Sequence, residues 1–348
     1  MKAIVLAEHG STSVLKYQDV PLPRVGPNEV LFKVKATGAN FVDVWARKGM
    51  PGQNIIFPHI SGSDAAGIVE EIGSEVTHVS AGDEIVVHPT LSCRMCEACA
   101  RGNETLCKES KVWGFQTGPH NGGQAQYAVV PKYNVIQKLS RLTWEEAGSI
   151  NLVLLTAWRM LVHRAKVKPG DHVLIWGAAG GVGTMAIQIC RLFNAIPVAV
   201  VGSEEKLRRA HELGAAHLID RHNQDVGAEI RRITERKGVD IVIEHTGQQT
   251  FPTSIRSLKW GGTLVTCGAT TGFDASVDIR QLWNRQLQLL GSHMGNKSDL
   301  LEALRYVERG EISPVISHIL PLEEVARGHD LIENASTIGK IVYIPTTS

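Results

Sequence analysis

From residue 172 onward, short apolar runs alternate with longer helical patterns. His172–Trp176 (HVLIW) leads through the glycine-rich Gly177–Gly183 into an amphipathic stretch, Thr184–Phe193. Ile196–Val201 is followed by a helical pattern over Glu204–Leu213, and His217–Ile219 by one over Val226–Glu235. Val239–Glu244 precedes another over Thr250–Leu258, and Thr263–Cys267 and Leu287–Gly291 close the series. Six short strands separated by helical or helix-length segments predict an α/β fold with a doubly wound parallel sheet.

The chain before about residue 150 follows a different pattern. Glu29–Lys35, Ala66–Ile72 and Asp83–Val87 are alternating runs punctuated by Gly, Pro and Asn, which predicts a β-rich lobe. After about 296 come a helix (Ser298–Glu308), an apolar run (Val315–Ile319), a second helix (Leu322–Ile332) and a strand (Lys340–Ile344). That tail has no sheet of its own to finish. The expected organisation is a discontinuous β-rich domain, 1–152 plus 296–348, with a nucleotide fold inserted at 153–295.

Gly177-Ala-Ala-Gly-Gly-Val-Gly183 lies between a predicted strand and a predicted helix, the context in which a glycine turn signals a dinucleotide site. Gly180 lets the backbone approach a pyrophosphate, Gly183 lets the helix lie on the strand, and the helix N-terminus offers free N–H groups. A glycine turn without a ligand is the competing reading, and the six-strand series decides against it. About twenty residues on, where NAD enzymes carry an acid, stand Gly202 and Ser203. Ser203 can bond a 2′-phosphate, and Lys206 and Arg221 can neutralise it. Ser203 also reads as a helix N-cap, with Glu204 and Glu205 as dipole partners and Lys206 as a solvated charge. The two readings are compatible, and NADPH is the expected cofactor.

Cys93, Cys96, Cys99 and Cys107 form a Cys-x2-Cys-x2-Cys-x7-Cys run. Four thiolates so spaced can close a tetrahedron around one zinc ion and leave no open position. The spacing alone also suits an iron–sulfur site or a disulfide knot. Only Cys190 and Cys267 remain elsewhere and no signal peptide precedes Met1, which argues against the knot. A structural zinc is expected.

At 348 residues two domains are expected, and 36 basic against 35 acidic side chains give no nucleic-acid or anionic-membrane signature. No apolar run is long enough to span a bilayer. A cytoplasmic enzyme is the expectation.

Several short runs now bear on family. They are Gly62-Ser-Asp-Ala-Ala-Gly67, Val112-Trp-Gly-Phe115, Trp144-Glu-Glu-Ala147 and Leu174-Ile-Trp-Gly-Ala178, followed by Ile243-Glu-His-Thr-Gly247, Gly261-Gly-Thr263 with Thr266-Cys267, and Leu290-Gly-Ser-His293. With the cysteine loop and the C-terminal return, the chain resembles the medium-chain dehydrogenase/reductase superfamily over essentially its whole length. It is most similar to the crotonyl-CoA carboxylase/reductase branch and its enoyl-CoA and quinone reductase relatives. The resemblance implies a GroES-like catalytic domain around a Rossmann domain, an NADP-dependent reductase and a homodimer or homotetramer. Thr156, Gly181, Val182, Thr246, Cys267, Gly268 and Ser292 join the candidate cofactor contacts.

The departures carry the mechanism. The superfamily's alcohol dehydrogenases hold a second, catalytic zinc with a Cys, a His in Gly-His-Glu, and a later Cys or Asp. Those places fall on Asn40, on Gly62-Ser63-Asp64 and near Asn151 and Leu152, so a catalytic zinc is not expected. Without it, the acceptor must be one whose developing charge hydrogen bonds can hold; an α,β-unsaturated thioester or ketone qualifies, and the resemblance implies an acyl-CoA. Hydride adds at its β-carbon and the charge on the carbonyl oxygen is held by hydrogen bonds. Asn40 is a candidate donor to substrate, against the plainer reading of an Asn that stabilises a turn. Asp43 is expected to orient the first-lobe loop. His245, just past a strand at the carboxyl end of the sheet, is expected at the substrate, against a satisfied junction histidine.

Phe115 and Gln116 resemble the aromatic–Glu pair of the carboxylating enzymes, with Gln for Glu, and Val42 stands where those carry a second Asn. Both changes argue against CO2 capture. His59, His88 and His293 read as structural or pocket-lining, and Cys190 and Cys267 as buried hydrophobes. The alternatives are an NADP-dependent alcohol dehydrogenase or quinone reductase acting on a C=O, and a non-catalytic NADPH-binding protein.

Overall fold

The computed structural model describes residues 1–116 and 121–346. They form two compact units: Met1–Leu152 with Asn296–Leu301 and Pro314–Ser348, and Val153–Gly295 with Glu302–Ser313. Among the described residues no helix is long and apolar enough to cross a membrane.

The first unit is built on a seven-stranded sheet. Its order is Ile316–Pro321, Lys340–Ile344, Glu29–Gly38, Asp64–Ile72, Glu84–Val87 and Val135–Gln137, with Tyr127–Pro131 also paired to Glu29–Gly38. The tail returns to this sheet, as its lack of strand partners implied: Lys340–Ile344 runs antiparallel to Glu29–Gly38, with Val342 opposite Gly38 and Tyr343 opposite Thr37. Alternation along the long strand turns Val30, Phe32 and Val34 to one face, where they bury against Val69, Ile85, Val87 and Trp113. Trp113 keeps its polar atom satisfied, donating from Nε1 to Val129 O at 3.3 Å.

Three features depart from expectation. Residues 41–48 are helical (Phe41–Lys48), so Asp43 sits in a first helical turn and not on a loop. Trp144–Trp158 is one long helix, continued by a π-helical stretch over Arg159–Ala165. Ile150, Leu152, Val153, Leu154, Leu155, Ala157 and Trp158 are all buried, so this helix has no polar stripe and shows no amphipathic period in sequence. Finally, Glu302–Ser313 belongs with the second unit, although the tail from 296 was expected in the first. Side-chain anchoring explains that: Glu302 accepts from Trp158 Nε1 at 3.1 Å, Tyr306 packs on Trp158 at 5.2 Å, and Ser313 N donates to Gln188 Oε1 at 2.8 Å.

The second unit is a six-stranded, all-parallel sheet. Its order is His217–Asp220, Ile196–Val201, His172–Ile175, Val239–Glu244, Leu258–Thr266 and Gln288–Gly291. Numbered along the chain, that is 3-2-1-4-5-6, the order of a dinucleotide-binding sheet. The strand expected at Thr263–Cys267 begins earlier, at Leu258, because Val239 already pairs with Leu258 across a register shift. The core joins Leu174, Val198, Val200, Ile219, Val242 and Leu264 with Ile230 and Ile255 from the flanking helices.

The return strand makes one contact that tolerates no added atom. In helix Val325–Glu333, a Cβ on Gly328 would lie 1.9 Å from the Tyr343 hydroxyl, and that ring is fully buried. Gly328→Ala is expected to lower stability by about 1–3 kcal/mol. Tyr343→Phe in the same chain should recover part of that loss in a denaturant titration. Strict additivity of the two losses would show that the overlap is not the cause.

Candidate active site and metal-binding loop

In the first unit, the four cysteine sulfurs lie within 4.8 Å of one another. Cys93 Sγ is 3.5 Å from Cys107 Sγ and 3.9 Å from Cys99 Sγ. Sulfurs on a tetrahedron with Zn–S near 2.3 Å stand about 3.8 Å apart, so the donor set fits a closed zinc site. Amide donors from Met95 and Cys96 pull the Cys93 thiol down to about 6, toward the thiolate a metal requires. Glu104 fastens the loop: it pairs with Arg94, accepts the Lys297 amide at 2.8 Å and stands 3.6 Å from His88 Nε2. Burial lowers the His88 pKa, opposed by Glu104.

A second cluster gathers Asn40, Asp64 and the Leu152 amide, from the three stretches compared above with the zinc-ligand pattern, around an amine; Ser63, at the place of the His, has a buried Oγ without a partner. Asn40 precedes helix Phe41–Lys48, Asp64 opens the Asp64–Ile72 strand, and Lys340 opens Lys340–Ile344; none is more than 5 % exposed. Lys340 Nζ donates to Asn40 Oδ1 and to Asp64 Oδ2, the latter at 3.2 Å. Asn40 Nδ2 donates to Asp64 Oδ2 at 3.0 Å and to Gly38 O at 3.4 Å, while Asp64 Oδ1 accepts the Leu152 amide at 2.8 Å. Nearby, Asn151 donates to Val87 O at 3.0 Å. Burial lowers the Lys340 pKa, and the Asp64 charge opposes this most strongly.

Asn40 was expected to donate to substrate. In the structure its amide is consumed within the cluster, because a buried ammonium and a buried carboxylate both need partners. Asp43, fully buried, accepts from the Asn40 amide at 2.8 Å and the Gly62 amide at 3.2 Å. That holds the helix start against the Gly62 turn, which is an orienting geometry. Burial pushes the Asp43 carboxyl up to about 7, against those donors and the Lys340 charge.

Phe115 is buried, and Gln116 is turned onto its own surroundings: Oε1 accepts Val112 N at 2.7 Å and Nε2 donates to Gln53 at 2.8 Å. Val42 is half-buried on the helix. His59 Nε2 lies 3.1 Å from Gly114 O, and burial lowers its pKa to about 4, as for a neutral structural histidine.

In the second unit the candidates gather at the carboxyl ends of the strands. Helix Gly181–Leu192 begins one turn earlier than the apolar pattern suggested, so Gly181, Val182 and Gly183 are its first residues and Gly180 its cap. A Cβ on Gly183 would lie 2.5 Å from Ala178 Cα, while one on Gly180 would meet only Gly177 O at 3.3 Å. Close helix–strand contact and an open backbone face follow from these two glycines. Ser203 caps the helix Glu204–Glu212, accepting the Lys206 amide at 3.4 Å. Burial and then the Arg221 charge lower the Lys206 pKa, so the two cations share one place. A Cβ on Gly202 would meet Arg221 Nε at 2.7 Å and His222 Nε2 at 2.8 Å. His222 was not among the expected residues.

Glu244, fully buried at the end of its strand, was also missed. Its Oε1 accepts the amides of Thr246 at 2.8 Å and Gly247 at 3.1 Å, and its Oε2 accepts Thr250 Oγ1 at 2.9 Å and Ser254 Oγ at 2.6 Å. Trp176 Nε1 completes the chain to Ser254 Oγ at 2.7 Å. This network fixes the turn that carries His245. The His245 ring is half-buried, its Nε2 is buried without a partner, and burial lowers its pKa. It packs so closely over Gly177 that a Cβ there would lie 2.8 Å from Cε1. Around the same strand ends, the Cys267 amide donates to Glu244 O at 3.2 Å, the Ser292 amide to Thr266 O at 2.8 Å, and Thr266 Oγ1 to Gly268 O at 3.2 Å. Ser292 Oγ is buried and unpartnered, and Thr156 is buried. Cys190 is fully buried, burial raises the Cys267 thiol to about 12, and His293 is exposed.

A β-rich unit with a zinc-type loop, joined in sequence to a 3-2-1-4-5-6 nucleotide sheet, defines a nucleotide-dependent oxidoreductase. Comparison with known proteins specifies the class. Residues 26–140 match the alcohol dehydrogenase GroES-like domain and 181–309 the zinc-binding dehydrogenase family. The chain is 36 % identical to crotonyl-CoA reductase of Streptomyces collinus, over 89 % of this chain and 76 % of that one. It is also 36 % identical to an NAD-dependent alcohol dehydrogenase of Saccharolobus solfataricus, over 99 % and 100 %. Among solved structures, an NAD-dependent alcohol dehydrogenase superposes with TM-score 0.94 at 41 % identity, covering 99 % of each chain. Crotonyl-CoA carboxylase/reductase AntE in complex with NADP does so with TM-score 0.91 at 34 % identity, covering 99 % and 94 %. The chain belongs to the medium-chain dehydrogenase/reductase superfamily, in the crotonyl-CoA reductase and quinone reductase branch, and is an NAD(P)-dependent oxidoreductase.

Two outcomes follow. Elemental analysis of purified protein is expected to give one zinc per chain, and Cys107→Ser to remove it with a fall in melting temperature that precedes any change in turnover per folded molecule. Two tightly held zinc ions would contradict the chemistry of the Lys340 cluster. The second outcome is a pH slope. The unfolded Asp43 carboxyl ionises near 3.8 while the folded one keeps its proton to about 7, so the folded chain holds the extra proton in that window. Its contribution to stability therefore falls as pH rises from about 4 to 7. Asp43→Asn should remove that slope, seen as a wild-type-minus-variant stability difference that declines across the window; a flat difference refutes it.

Proposed function

We propose that the chain is an NADPH-dependent reductase. It delivers hydride to the C=C of an α,β-unsaturated acyl thioester, carries a structural zinc but no catalytic one, and does not carboxylate its product. The observation that carries this reading is the Lys340 ammonium among Asn40, Asp64 and the Leu152 amide. A zinc ion seeks thiolate and imidazole, and this place offers an amide, one carboxylate and a resident cation. Substrates that need an inner Lewis acid on an alcohol or aldehyde oxygen suit it poorly. A conjugated thioester does not need one, since hydrogen bonds can hold the charge that develops on its oxygen.

The chain's own residues supply the rest. The N–H groups after Gly180 hold a pyrophosphate, and Ser203, Lys206 and Arg221, with His222 beside them, hold a 2′-phosphate. Bound NADPH would supply the hydride. His245, neutral because burial lowers its pKa, has a free Nε2 to place the acyl group. A proton from solvent or a relay then reaches the α-carbon. Gln116 is occupied by Val112 and Gln53, and Val42 is apolar, so the acid and amide that would cradle CO2 are missing from these positions. The named crotonyl-CoA relatives, and the structural relative CinF in complex with NADP and 2-octenoyl-CoA, support the acyl-CoA class. The alcohol-dehydrogenase relatives favour carbonyl reduction as the second reading. Exposed Ile279, Trp283 and Leu289 beside and on the sheet's edge strand support a homo-oligomer.

The test follows NADPH oxidation against crotonyl-CoA, acryloyl-CoA, a quinone and an aldehyde, with labelled bicarbonate present. Reduced, unlabelled acyl-CoA is expected. Label in an ethylmalonyl product would remove the non-carboxylating half, and brisk turnover of aldehyde or quinone alone would remove the rest. His245→Ala should lower thioester turnover by about 10²-fold with little change in NADPH affinity. Lys206→Ala should weaken NADPH about 10-fold and leave NADH unchanged.

A further inference from the structure

At the opposite, amino-terminal edge of the second unit's sheet lies a cavity of about 310 Å³ that the reductase reading leaves without a role. Gly238, just before strand Val239–Glu244, lines it, whereas His245 follows that strand. Six strand residues separate the two edges by about 20 Å. The lining is strongly cationic: Arg231, Arg236, Lys237, Arg256 and Arg285 face one acid, Asp225. Asp225 is committed as a helix cap, accepting the Ala228 amide at 2.5 Å. Lys237 pairs with Glu235 and Arg285 bonds the carbonyls of Ile255 and Leu258. Arg231 and Arg236 have no acidic partner among the described residues.

Arginines near helix C-termini are common, since the dipole favours them. A buried hydroxyl without a partner is not explained that way. Ser257 lines the cavity, is 5 % exposed, and its Oγ makes no hydrogen bond. Such a group costs free energy unless a ligand or water completes it. Trp260, 66 % exposed, lines the same cavity and offers an aromatic face. Cations for an oxyanion, a hydroxyl to donate to it and an indole for a flat ring are the parts of a nucleotide site. We propose that this cavity is a second binding site for a phosphate-bearing nucleotide, separate from the dinucleotide end. Its phosphates lie on Arg231, Arg236 and Ser257, and its base on Trp260.

The experiment is calorimetric titration of the full chain, saturated with NADP⁺, with ADP, pyrophosphate and inorganic phosphate. ADP is expected to bind saturably, more weakly in high salt, and at least about 10-fold more weakly to Arg231→Ala/Arg236→Ala. Ser257→Ala should weaken all three anions and Trp260→Ala only ADP, with acyl-CoA or carbonyl turnover unchanged in each variant. Pyrophosphate binding as tightly as ADP, with Trp260→Ala silent, would overturn the nucleotide and show a bare phosphate site. No saturable binding of any anion, or binding indifferent to the double variant, would overturn the site itself.

Discussion

The first unit is organised around a buried ion pair. Lys340 comes from the last strand, Asp64 from a central one, and Asn40 from the start of a helix, so three distant stretches of chain meet at one charge pair. Taking an ammonium and a carboxylate out of water costs several kcal/mol per ion, and the pair is tolerable only when its remaining donors and acceptors are satisfied. The Leu152 amide and the Asn40 side chain do that. The same requirement explains why Asp43 is inward. It pins the Asn40 and Gly62 amides, and so fixes the backbone that presents the pair. Losing one member would leave the others buried and unpaired, so the tail strand is held by chemistry as well as by ladder bonds.

The second unit solves a similar problem with a single carboxylate. Glu244 ends a strand whose neighbours are apolar, yet five donor contacts converge on its two oxygens, from two amides, Thr250 twice and Ser254. The turn after the strand therefore has little freedom, and His245 is placed against Gly177 by a rigid support. The His245 Nε2 left unpartnered beside so satisfied a network is the atom that the proposed function turns to substrate.

Local periodicity made the nucleotide sheet legible. Ile196–Val201 and Val239–Glu244 have the bounds that their apolar runs suggested, because parallel strands buried on both faces are apolar throughout. The cysteine loop was legible for a different reason, since metal ligation constrains spacing. Trp144–Trp158 was hidden because burial on all sides erases the helical stripe, and Phe41–Lys48 because eight residues carry little period. Lys340 and Glu244 could not be found by spacing at all. Asp64 lies 276 residues from Lys340, while the partners of Glu244 are close in sequence but are backbone amides and hydroxyls of the turn and helix after it, which carry no motif. Asn40 shows the converse: it stands out in the family pattern as a donor to substrate, while in the fold its Nδ2 is spent on Asp64 and Gly38 and its Oδ1 on Lys340.

The proposed function sets an ammonium where the zinc dehydrogenases are read to hold a metal ion, and that changes which chemistry suits the place. A zinc ion offers an empty coordination position to which an alkoxide binds directly, and so suits reactions that build charge on one oxygen bound to the reacting carbon. The Lys340 ammonium, spent on Asn40 and Asp64, presents no such position; its reach is electrostatic and largely cancelled by Asp64. Conjugate reduction places the reacting carbon two bonds from the carbonyl carbon, and the developing charge is shared over the thioester. Neutral donors held in place beforehand can carry such a charge by hydrogen bonds, and the proposed function gives His245 that part. The Glu244 network holds the turn that carries His245, and the ion pair ties the first unit's tail strand to Asp64 and Asn40.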